Sequence, residues 1–86
     1  MTTFNINITA DAIIDSSVSN KEIGQAIKAE RLRKKLTALK LTQSIGIGVT
    51  ALKKYEEGDG KVSTYALMQI VCALGYNGVS IQCSDN

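Results

Sequence analysis

Residues 36–58 read LTALKLTQSIGIGVTALKKYEEG, and the spacing of caps, glycines and apolar residues within them decides the fold. Thr37 is placed to cap a short helix over Ala38 to Ser44 that faces inward through Leu41 and Ile45. Gly46 can take the left-handed conformation that ends such a helix. A second helix is expected from about Val49 to Glu56, with Leu52 and Tyr55 inward. Gly58, Asp59 and Gly60 then make a loop that no regular element tolerates.

Working outward, a longer helix is expected upstream from about Lys21 to Lys34. Ser19 and Glu22 match a capping box, and Ile23, Ala26 and Ile27 recur on one face. Leu32 projects opposite that face and needs a cover, for which the apolar N-terminal segment is available. In that segment Phe4, Ile6 and Ile8 alternate with polar residues as in a half-buried strand. Thr9 can then cap a brief helical turn holding Ile13 and Ile14. Downstream, Ser63 caps a helix from Thr64 to Leu74 with the stripe Leu67, Ile70, Val71 and Leu74, and Gly75 stops it. Asn77-Gly78 marks a turn, after which Val79, Ile81 and Cys83 alternate as a second strand. The expected organisation is an N-terminal strand and arm (1–20), a helical domain (21–75) and a C-terminal strand (76–86). The expected fold class is mainly α, with four to five helices and short terminal β-strands.

Eighty-six residues hold one core, and a chain this short is often marginal alone, so association is a plausible source of stability. All ten Lys and Arg lie between Lys21 and Lys61 against five acids, a local net of +5, while the flanks hold only Asp11, Asp15 and Asp85. A basic centre between acidic flanks suits a polyanion. The four aromatic residues, Phe4, Tyr55, Tyr65 and Tyr76, are too few for a base-stacking single-strand binder. The chain has no His, so Cys72 and Cys83 do not read as a metal site, and no cofactor is expected. No nucleophile setting or converging carboxylate pair suggests an enzyme. No run is long and apolar enough to span a membrane, and no secretory signal is visible, so a reduced, cytoplasmic location is expected.

Two short helices around a glycine turn, the second rich in small, polar and basic residues, describe a helix-turn-helix. The stretch Leu36–Gly58 resembles, without a gap, the Cro and phage-repressor helix-turn-helix family. That family's pattern begins Leu-Thr-Gln, passes a Leu-Gly-Val-Ser turn and ends Ile-Glu-x-Gly. The likeness continues through Ser63 to Leu74-Gly75 and back through Ile23, Ile27 and Arg31, covering roughly residues 21 to 75. Departures are Ala38 for the family's Gln, Lys35 for its turn Gly, Gly48 for its capping Ser and Val62 for its Pro.

The resemblance implies a phage-repressor-like domain that binds double-stranded DNA. It implies base reading by Val49, Thr50, Lys53 and Lys54, on the helix that follows Gly48, which is itself placed among the DNA-binding residues. Thr37, the amides of Ala38 and Leu39, Lys40 and Lys61 are the implied phosphate contacts. Arg31 and Glu56 match a pair that bridges the first helix to the end of the recognition helix. Two alternatives stay open. One is a repressor or autorepressor binding a palindromic operator as a homodimer. The other is an antitoxin with a toxin partner, since the strand after Leu74-Gly75-Tyr76 is similar to HipB-type antitoxins. Phe4, Ile6, Ile8, Val79, Ile81 and Cys83 are the expected dimerisation residues, their strands joining across the dimer axis.

Overall fold

The computed structural model describes residues 2–59 and 63–83. Its elements run β1 (Thr3–Ile8), α1 (Ala10–Ile14), α2 (Ser16–Arg33), α3 (Ala38–Thr42), α4 (Val49–Glu57), α5 (Thr64–Ala73) and β2 (Gly78–Cys83). The fold is mainly helical, with short terminal strands, as the periodicities predict. Ile6, Ile27, Leu52, Ile70, Val71 and Leu74 form its most buried layer. Each belongs to an apolar stripe or alternation of its own element, so one core collects β1, α2, α4 and α5.

Helix α2 starts five residues earlier than expected. Asp15, not Ser19, is its N-cap, and its carboxylate accepts from the Ser17 amide at 3.0 Å. Those hydrogen bonds hold the Asp15 carboxyl below the usual carboxylate range. A charged cap complements the helix dipole better than a hydroxyl, and the earlier start brings Val18 against the core. Glu22 is thereby released from the capping box. Its two oxygens accept from the backbone amide and hydroxyl of Thr9, both at 2.7 Å, tying the start of α1 to α2. Thr9 does precede α1, but its side chain makes no capping bond.

Three other expectations change. Leu32 stays 55% exposed, because β1 and α1 cover the opposite, Ile23–Ile27 side of α2. Helix α3 ends at Thr42, and Gly46 does not have a positive φ. Ile45 and Ile47 pack against the core on either side of it, so the turn is anchored by burial instead. Lastly, the terminal strands pair with each other inside the chain. They run parallel, with Phe4 beside Val79, Ile6 beside Ile81 and Ile8 beside Cys83. Phe4, Ile6 and Ile8 are buried in the chain's own core. A lone two-stranded sheet is marginal in water. Here β1 lies on the helices, and Asn77 N–H donates to the Thr2 carbonyl at 2.8 Å to start the pairing.

Three helices end in the same way. After α2, α4 and α5 a residue with positive φ (Lys35, Gly58 and Gly75) reverses the chain. In each case paired amides reach back to the last turn: Leu36 to Arg31, Asp59 to Lys54 and Tyr76 to Val71. Gly58 and Gly75 adopt this conformation freely, whereas Lys35, at φ 59°, does so against its Cβ.

Candidate nucleic-acid interface

Helix α4 is the element whose outer surface is built for contact. Leu52 and Glu56 are buried beneath it, Val49, Ala51 and Tyr55 are half-buried at its sides, and Thr50, Lys53, Lys54 and Glu57 face solvent. On a helical wheel the last four fall within one stripe. Lys53 lies towards α2, where it lines a surface groove with Lys28, Arg31, Glu56 and Glu57. Val49 packs partly on the core, which leaves part of its surface for a ligand. Gly48 is the N-cap and offers no side-chain bond to the first turn of α4.

Helix α3 presents its start beside this surface. The Thr37 hydroxyl accepts from the Lys40 amide at 3.1 Å, which orders the first turn. Ala38 is buried, so only its backbone amide is available to a ligand, while Lys40 is exposed. Thr42 is buried and donates to the Ala38 carbonyl at 2.9 Å, which closes the short helix from within. Lys61 lies outside the described residues.

What holds α4 at its angle is a set of contacts at its C-terminal end. Arg31 donates through Nε and Nη2 to the two carboxylate oxygens of Glu56, at 2.7 and 3.0 Å, and through Nη1 to the Leu36 carbonyl at 2.8 Å. Both side chains are almost wholly buried. The fork therefore links α2, the turn before α3 and α4 in one rigid unit. The pairing with Glu56 also raises the Arg31 guanidinium above its ordinary range, so it stays charged.

Gly24, in the middle of α2, makes the second contact. A Cβ there would fall 1.9 Å from the Tyr55 carbonyl oxygen and 3.0 Å from that of Glu56. Only glycine lets α4 approach so closely. Sequence reasoning missed this residue, although a glycine inside a long helix is itself a signal, since it costs about 1 kcal/mol relative to alanine. It also missed a polar cluster behind the site. Glu30 accepts from Arg33 at 2.6 and 2.8 Å and from the Tyr76 hydroxyl, whose ring stacks on Phe4 at 5.1 Å. Lys34 lies over the same ring at 4.7 Å and donates to the Leu74 carbonyl. This cluster joins the end of α2 to the end of α5 and to β1.

A short positioning helix, a turn and an exposed polar helix carrying Thr50, Lys53 and Lys54 define a helix-turn-helix DNA-binding domain. The chain belongs to the Cro/C1-type helix-turn-helix family, whose sequence profile, described as helix-turn-helix, matches residues 27–80. It is accordingly a DNA-binding transcriptional regulator. Neither a curated protein nor a solved structure matches it significantly. No helix among the described residues is long and apolar enough to cross a membrane.

Proposed function

We propose that the protein is a repressor or autorepressor that binds a palindromic operator as a homodimer and acts by binding rather than by catalysis. The observation that carries this reading is the rigid presentation of the Thr50, Lys53 and Lys54 stripe on α4, backed by the buried Arg31–Glu56 fork. In the major groove Lys54 is suited to guanine O6 and N7, and Thr50 to a base edge or phosphate. Thr37, Lys40 and the amides at the start of α3 are suited to backbone phosphates, which fix register without reading sequence. One helix reads only a few base pairs, so two copies on a two-fold axis would double the site, with half-sites about one helical turn apart.

The test is selection of bound duplexes from a random pool, followed by titration of the winner at several salt concentrations. A palindrome with two half-sites, and an affinity that falls steeply with salt, are the expected results. Recovery of no common sequence would refute operator recognition. It would turn attention to the antitoxin alternative, in which a protein partner is the main ligand.

A further inference from the structure

Glu57 has the wrong charge twice over for the place where it stands. Of the four side chains that α4 turns to solvent, Thr50, Lys53 and Lys54 suit a polyanion, and Glu57 is the acid among them. It is also the last residue of α4, where the partial negative charge of the helix end disfavours a carboxylate. The fold does not compensate it. Among the described residues the ion pairs are Arg31–Glu56 and Arg33–Glu30. Glu57 joins neither and makes no side-chain hydrogen bond, although Lys53 and Lys54 precede it by one helical turn.

Its backbone is nevertheless fixed from both sides. The preceding residue, Glu56, is locked in the buried fork with Arg31. The following residue, Gly58 at φ 76°, lies so close to α2 that a Cβ there would fall 2.6 Å from the Lys21 Cα. The amides of Gly58 and Asp59 donate back to the Tyr55 and Lys54 carbonyls at 3.1 and 2.9 Å. The end of α4 therefore cannot swing the carboxylate away from what the helix meets. A recognition group is held in this way, on a rigid element with supporting contacts behind it.

The chemistry of the major groove selects the partner. Random duplex is bound through its phosphates, so a carboxylate on the contact face lowers that affinity whatever the sequence. A base edge can compensate by donating an amino N–H. Cytosine offers N4 alone, whereas adenine sets the acceptor N7 beside its N6 donor and so repels a carboxylate. Glu57 lies three residues after Lys54, an advance of about 4.5 Å along the helix. That is roughly one base step of about 3.4 Å.

We infer that Glu57 is a specificity-determining residue, whose carboxylate accepts from N4 of a cytosine one step from the guanine contacted by Lys54. It favours the operator by that bond and disfavours every duplex that lacks it. This rests on the operator reading above and deepens it. The test takes the full chain, Glu57→Ala and Glu57→Gln through selection from a random pool. Each is then titrated against the parent's operator and a random duplex, and its melting temperature is measured. The parent should select a cytosine beside a guanine in each half-site. Glu57→Ala should lose that preference, bind the operator about tenfold more weakly and bind random duplex about fivefold more tightly. Glu57→Gln should exchange the cytosine for adenine, whose N6 and N7 suit an amide. Neither variant should melt below the parent, since no bond within the domain is lost. Equal strengthening of operator and random duplex by Glu57→Ala would overturn the inference, because the carboxylate would then only repel phosphate. Unchanged selection and affinity would overturn it too, and in both cases operator recognition stands. Lower melting temperatures in both variants would assign Glu57 to the fold instead. A parent that selects no common sequence would refute the operator reading and this inference together.

Discussion

Replacing Gly24 with alanine sets two effects of a single methyl group against each other. In the interior of an 18-residue helix the change removes backbone freedom from the unfolded chain, and alone it stabilises by about 0.5–1 kcal/mol. Against that, the new Cβ would sit 1.9 Å from the Tyr55 carbonyl oxygen, where ordinary contact begins at 3.4 Å. The shortfall is about 1.5 Å, and the group in the way is backbone, which cannot rotate aside. Overpacking of this kind costs about 1–3 kcal/mol or more. The obstructed carbonyl also accepts from Gly58 N–H at 3.1 Å in the turn that ends α4, and the next residue is Glu56 of the buried fork.

The net expectation is a loss of about 2 kcal/mol, which for a domain of this size lowers the melting temperature by about 10 °C. Thermal and urea denaturation followed by circular dichroism measure it. DNA binding should fall as well, at temperatures where the variant is still folded, because α4 must tilt or shift away from α2. A melting temperature that rises on Gly24→Ala would refute the close approach of the two helices. It would mean that the glycine is only a weak spot in α2.

Removing the guanidinium in Arg31→Ala should cost about 3–5 kcal/mol, because Glu56 is left buried without its partner. The double replacement Arg31→Met with Glu56→Leu should recover much of that loss in urea denaturation. Lys35→Gly should raise stability by about 1 kcal/mol, measured in the same way, since glycine relieves the positive φ in the turn after α2. Acid sensitivity should trace to Glu30, whose carboxyl is drawn down from 4.5 to about 2, first by Arg33 and then by the Tyr76 hydroxyl. A carboxyl lower in the folded than in the unfolded chain stabilises fully above about pH 4.5, and that contribution is lost as pH falls towards 2. Glu30→Gln should therefore flatten this stretch of the stability–pH curve, and superimposable acid limbs for the two proteins would refute it.

What was legible in the sequence is what repeats locally. The alternation Phe4, Ile6, Ile8, the stripe Leu67, Ile70, Val71, Leu74 and the hydroxyl caps Thr37 and Ser63 each follow from neighbours within one or two turns, and all take the expected positions. The pairing of Arg31 with Glu56 came from family resemblance, since no local spacing connects residues 25 apart. What was not legible lies in contacts between segments. Glu22 looks like half of a capping box until α1 folds back and offers it the amide of Thr9. Gly24 looks like a helix-weakening residue until the carbonyl of Tyr55 is set against it. Tyr76 looks like the end of a helix until Glu30, Lys34 and Phe4 surround its ring. The strands show the same division. Their alternation announced one apolar face each but not a partner, and pairing within the chain satisfies that face fully for β1 and only in part for β2. The unsatisfied half of β2 is therefore a property of the assembled domain, because its exposure depends on where the core laid down by α2, α4 and α5 comes to an end.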